Sequence, residues 1–171
     1  MMNIPFSPPD ITELEIEEVV DTLKSGWITT GPKTKKFEKQ IAEYCHTSKA
    51  VCLNSATACS EMALRVLGIG AGDEVITTAY TYTASASVIC HVGATVVLVD
   101  TQKDSYEMDY EALEEKITEK TKAIILVDLG GVICDYDRIF EIVNRKKDVF
   151  EPKTELQKKI GRVAVVADGA H

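Results

Sequence analysis

The sequence predicts an α/β domain of three layers, α/β/α, built around a mostly parallel sheet. Two observations carry this. From residue 49 onward, short apolar runs alternate with amphipathic stretches of helical length, the pattern of strands joined by crossover helices. Several runs, Ala123-Ile124-Ile125-Leu126-Val127 above all, are unbroken by polar residues, as in strands covered on both faces. A chain of 171 residues is long enough for one such core.

The elements follow in order. Thr12-Glu13-Leu14-Glu15 is a capping box, with Thr12 as N-cap and Glu15 three residues on. Ile16, Val19, Val20 and Leu23 recur at helical spacing, and Gly26 stops the helix. Pro32 opens a second helix with Phe37, Ile41 and Tyr44 on one face. Strands are expected at residues 50–53, 74–78, 95–100, 122–128 and 162–168, and helices at 57–67, 84–92, 110–119 and 136–145. The helix after Asp109 has a good N-cap. Residues 146–159 mix acids and bases and read as a solvated surface excursion. The organisation is thus an N-terminal helical segment, 1–48, and the first part of an α/β domain, 49–171. The last strand reaches Asp168 and the sequence stops three residues later. Ligands of such sheets bind at that rim, so the expectation is a domain cut in its middle.

Composition narrows the function. Hydrophobic residues make up 45%, but no run approaches the roughly 18 apolar residues of a membrane span. Met1 to Pro9 has neither the basic nor the apolar region of a signal peptide, so a cytoplasmic location is expected. A net charge of −8 argues against a nucleic-acid or anionic-membrane partner. One anionic small ligand is still possible, because backbone amides can bind phosphate without cationic side chains. None of the five cysteines forms a C-x-x-C pair, so no metal site is expected and the thiols read as buried and reduced.

Three segments can carry chemistry. Asn54-Ser55-Ala56-Thr57-Ala58 follows a strand and opens a helix. Small residues there let a phosphate reach the free N–H groups, with Ser55 and Thr57 as added donors. An ordinary capped turn would read the same way. Thr78-Ala79-Tyr80-Thr81-Tyr82-Thr83 also lies at a strand end, where a tyrosine ring can stack on a flat ligand or simply pack the rim. Asp168 ends an apolar strand, where a carboxylate wants a donor. A protonated ring nitrogen would serve, as would a helix cap or a salt bridge. Gly68, Gly70 and Gly72 are spaced and placed wrongly for a dinucleotide fingerprint.

Taken together, the segments are more specific. Their order resembles the DegT/DnrJ/EryC1/StrS sugar aminotransferases, a branch of the fold-type I pyridoxal-phosphate (PLP) enzymes. The similarity starts at Ser25-Gly26-Trp27-Ile28-Thr29-Thr30-Gly31-Pro32. It passes through Asn54-Ser55-Ala56-Thr57-Ala58, Gly70-Ala71-Gly72-Asp73-Glu74-Val75-Ile76 and Tyr80-Thr81-Tyr82-Thr83-Ala84. It ends at Ala167-Asp168-Gly169-Ala170-His171. The resemblance implies PLP as cofactor, with Ser55, Ala56 and Thr57 at its phosphate and Tyr82 stacked on its ring. It implies Asp168 at the ring nitrogen and His171 near the phenolic oxygen, these two being the catalytic candidates. The segment with Trp27, Thr29 and Thr30 would receive a sugar nucleotide, although Trp27 can equally be a packing anchor. The implied reaction moves an amino group, from glutamate as donor, to a nucleotide-linked keto-deoxysugar in polysaccharide biosynthesis. A homodimer is implied for the full-length enzyme.

Two departures qualify this. Asp128-Leu129-Gly130-Gly131 stands where family members commonly read His-Leu-Tyr-Gly, which leaves the sugar open. The family's Schiff-base lysine lies beyond the acidic motif, and no lysine here takes that place, so this fragment is expected to be inactive alone. A sugar dehydratase of the same family, with histidine in place of that lysine, remains an alternative. So does a non-catalytic sugar-nucleotide or phosphate-binding module.

Overall fold

The computed structural model describes residues 8–170. They fall into two compact units, the first ending at Cys52 and the second starting at Leu53.

The first unit holds helices α1 (Glu13–Ser25) and α2 (Pro32–Tyr44). The capping box forms as read: Thr12 Oγ1 accepts from Leu14 N, and Glu15 accepts from Thr12 N at 2.6 Å. Gly26 ends α1 in the left-handed region, φ 72°. Lys33 on α2 pairs with Glu18 and with Asp21 (2.8 Å) on α1. The apolar stripe of α1 is exposed along its length, from Val20 at 40% to Leu23 at 64%. The strand expected at 50–53 is absent. A strand needs a partner for its backbone groups, and here Cys52 N donates instead to the Glu38 side chain at 2.9 Å.

The second unit runs α3 (Ala56–Val66), β1 (Glu74–Thr78), α4 (Ala84–His91), β2 (Thr95–Val99), α5 (Tyr110–Lys116), β3 (Thr121–Val127), α6 (Tyr136–Arg145), α7 (Glu155–Ile160) and β4 (Ala164–Asp168). A short 3-10 turn, Leu129–Gly131, follows β3. All strand pairs are parallel, in the order β2-β1-β3-β4. Alternation along the strands separates two cores. Ile76, Ile124 and Leu126 meet Leu113, Ile139 and Ile142 on the α5–α6 side. Val75, Ala123 and Ile125 meet Leu64, Val88 and Ile89 on the α3–α4 side. This is the expected three-layer α/β/α fold with a parallel sheet, and it turns every strand's carboxyl end to one rim.

Residues 146–159 are not a plain surface excursion. Phe150 is buried, and Thr154 caps the unforeseen helix α7 by accepting from Gln157 N at 3.2 Å. Gln157, 2% exposed, donates to Leu67 O (2.9 Å) and accepts from Lys153 N (2.8 Å), tying α7 to the end of α3. Gly68 makes room for this contact: it has φ 71°, and an added Cβ would lie 2.6 Å from the Thr154 methyl. A buried amide serving two backbone groups is invisible to a pattern of charges. The cysteines also differ from expectation. Of the five, only Cys134 is buried, while Cys45, Cys59 and Cys90 are exposed. Turn and helix positions put those three on the outer surface.

Two outcomes follow. Gln157→Leu keeps the volume but removes the donor to Leu67 O, leaving it only the longer bond from Thr154 Oγ1 (3.5 Å), and the acceptor of Lys153 N. It should cost about 1–3 kcal/mol, seen as a lower urea midpoint at unchanged slope. Cys134 donates to Val127 O at 3.4 Å, and burial together with the Asp128 carboxylate pushes its thiol up to about 12. Iodoacetamide at about pH 8 should therefore modify Cys45, Cys59 and Cys90 in the folded chain and spare Cys134 until denaturant is added. Peptide mass spectrometry reads the difference.

Candidate active site

The rim formed by the carboxyl ends of the strands carries Asp168 and, just past the end of β1, the segment that holds Tyr82. Asp168 is the last residue of β4 and is partly buried. Its Oδ2 accepts from Ser85 Oγ at 3.2 Å and its Oδ1 from Ala170 N at 3.2 Å. Ser85 lies in the first turn of α4, just after Tyr82, whose carbonyl accepts from Ser85 N at 3.2 Å. The structure thus links Tyr82 and Asp168 through Ser85, although their strands, β1 and β4, are separated by β3.

The tyrosines of this rim divide their tasks. Tyr80 stacks on Tyr106, with centroids 5.2 Å apart and planes 18° apart. Tyr82 is 74% exposed, so its ring faces are open to a flat ligand.

Ser55 is the N-cap of α3, accepting from Ala58 N at 3.1 Å. Its hydroxyl proton remains available to an outside acceptor. Ala56 and Thr57 occupy the first two helical positions, whose N–H groups have no intrahelical acceptor. Two free amides, a hydroxyl and the positive end of an 11-residue helix make a cradle for an anion. Among the described residues no hydrogen bond joins this cradle to Tyr82 or Asp168. These groups nevertheless fit PLP: a phosphate cradle, an open aromatic face and a carboxylate held by two donors for a ring N–H.

Asp128, just past β3, has both oxygens committed. Oδ1 accepts from Cys134 N and Oδ2 from Tyr136 Oη, each at 3.0 Å, while Asp128 N donates to Asp168 O at 3.0 Å. Burial and the bond to Asp128 push the Tyr136 phenol up. The carboxylate therefore fastens the loop from Asp128 to Tyr136 beside Asp168. Sequence reading marked that loop only as a departure. It missed Ser85 altogether, whose sole signal was a hydroxyl in the first turn of a helix of small residues.

In the first unit, Trp27, Thr29 and Thr30 form the turn between α1 and α2. Trp27 Nε1 donates to Thr30 O at 3.1 Å, and the indole lies so close over Gly31 that an added Cβ would overlap it. Trp27 is thus the anchor of its own turn and still 58% exposed. It borders a hollow of about 380 Å³ with Ile28, Thr29 and Pro32. His171 lies outside the described residues. Among the described residues there is no cluster of three or more metal-ligating side chains, and no helix is long and apolar enough to cross a membrane.

Known proteins share this fold. Spr1654 of Streptococcus pneumoniae, a candidate sugar aminotransferase, is solved in PLP, PMP (pyridoxamine-phosphate) and apo forms. It superposes with a TM-score of 0.97 at 62% identity, over 99% of this chain and 43% of its own. The spore coat polysaccharide biosynthesis protein SpsC of Bacillus subtilis is 43% identical over 81% of this chain and 36% of its own. The UDP-4-amino-4-deoxy-L-arabinose–oxoglutarate aminotransferase of Shewanella sediminis is also 43% identical, over 84% of this chain and 37% of its own. The chain therefore spans about two fifths of the length of these relatives. Residues 9–150 match a single family profile, and with these relatives that match places the chain in the DegT/DnrJ/EryC1/StrS aminotransferase family.

Proposed function

We propose that the full-length protein is a PLP-dependent aminotransferase that moves an amino group from an amino acid, glutamate by preference, to a nucleotide-linked keto-deoxysugar. It works as a homodimer. The observation that carries the reading is the Asp168 carboxylate, held by Ser85 and Ala170 N at the ligand rim of a parallel sheet. The names of the relatives, which include a sugar-nucleotide aminotransferase and a polysaccharide biosynthesis protein, support the substrate class.

Bound PLP supplies an electron sink that stabilises negative charge on the carbon being deprotonated. The residues act around it. The N–H groups of Ala56 and Thr57, with the hydroxyls of Ser55 and Thr57, bind the phosphate against the α3 dipole. Tyr82 covers one face of the ring and excludes water from it. Asp168 accepts the ring N–H and keeps that proton in place, so the ring stays cationic when it is needed. His171 is assigned to the phenolic oxygen, and Trp27, Thr29 and Thr30 to the sugar nucleotide, on the resemblance alone.

Asp168→Asn in the full-length protein tests this. The variant keeps the shape and loses the charge. The half-reaction with glutamate should slow by about 10²-fold, the order expected for removing one preorganised electrostatic partner. Cofactor affinity should change much less, because the phosphate contacts remain. An Asn variant that converts PLP to its amine form at the parent rate returns Asp168 to a structural role.

A further inference from the structure

The rim holds a second hydroxyl that the reading above does not use. Ser85 Oγ lies 3.2 Å from Asp168 Oδ2 and 3.0 Å from Thr81 Oγ1. Ser85 is 1% exposed, so bulk water does not compete for its single proton. An ionised carboxylate only accepts, and a hydroxyl has one proton to give. The proton of Ser85 therefore goes to Asp168, and the Ser85 oxygen accepts from Thr81. The direction is fixed: Thr81 O–H to Ser85 O–H to Asp168. Such a chain polarises each bond in the next, and its last member, a bond to a charged group, is the strong kind.

Ser85 is not behaving as an ordinary helix-start serine. Two residues on, Ser87 turns its hydroxyl back to Ala84 O at 3.1 Å. Ser85 instead reaches from α4 to the end of β4, across the intervening β3. With Ala170 N on Oδ1, it supplies the second fixed point of the carboxylate. Two donors on two different oxygens set the plane of the group, while each oxygen keeps lone pairs for an outside donor.

We infer that Ser85, backed by Thr81, is a positioning residue that fixes the plane of the Asp168 carboxylate for the cofactor's ring N–H. This rests on the reading of Asp168 given above. Ser85 touches neither cofactor nor substrate in this role. It acts by stopping rotation of the carboxylate, whose loss would loosen the bond to the ring proton without touching the phosphate cradle. Geometry of this kind is what supporting residues contribute to an active site.

The test uses the full-length protein loaded with PLP labelled with ¹⁵N in its ring. The variants are Ser85→Ala, Ser85→Thr and Thr81→Val, and the ring-nitrogen resonance is the readout. Melting of the cofactor-free proteins is measured in parallel. Ser85→Ala should move the resonance toward that of the unprotonated ring and slow the glutamate half-reaction about tenfold, the order of one hydrogen bond to a charged group. KM should change little. Ser85→Thr, which keeps the hydroxyl, should restore both. Thr81→Val, which leaves the Ser85–Asp168 bond, should give a smaller shift in the same direction, and it reads the chain even where Ser85→Ala does not fold. A parent ring nitrogen that is protonated and unchanged in Ser85→Ala, or in Thr81→Val where the alanine variant does not fold, overturns the inference alone. A parent ring nitrogen that is not protonated overturns the assignment of Asp168 and this inference with it.

Discussion

Seven consecutive buried residues, Thr121 to Val127, form β3 in the middle of the sheet, and both cores are built on their alternation. Ile124 and Leu126 enter one core and Ala123 and Ile125 the other. Burial on both faces is what a strand between two helical layers requires. It also fixes the register, because a slip by one residue would exchange the two faces. With β3 held, β1 and β4 pair with it in parallel, and their carboxyl ends carry Thr78 and Asp168 to the same rim. The site is a consequence of that register.

The two ends of the sheet treat charge differently. Before β1, Asp73 is 2% exposed; it accepts from Gly70 N at 3.0 Å and pairs with Lys153 at 2.5 Å, an ion pair that lacks hydrogen-bond angles. Lys122 at the start of β3 is 1% exposed, donates to Glu119 O and lies over the Phe150 ring. Burial lowers its pKa. These groups fasten the segment before α7 to the sheet. At the opposite end Asp128 is likewise committed on both oxygens. Asp168 also accepts one donor on each oxygen, from Ser85 and from Ala170 N.

Much was legible in the sequence because it depends on local rules. The capping box at Thr12, the stop at Gly26, Pro32 at the start of α2 and the bounds of β1 are set by nearest neighbours and by the apolar period. So are the helix start at Ser55, set by a capping residue, and the strand-end position of Asp168. The parallel topology followed from that alternation as well.

Only the tertiary structure decided the rest, because it turns on partners distant in sequence. Residues 50–53 have strand character, yet lack a strand to pair with, and Cys52 N bonds to Glu38 instead. The charged run 146–159 hides α7, since Gln157 is useful only once Leu67 O stands beside it. Ser85 and Asp168 are 83 residues apart. A serine's hydroxyl has many local partners, and nothing in the order of residues says it will cross β3 to a carboxylate. The sequence alone determined that Asp168 ends a strand and that Ser55 starts a helix, because strand ends and helix starts are local. Folding decided which of them are bonded to each other, because hydrogen-bond partners are chosen by distance in space.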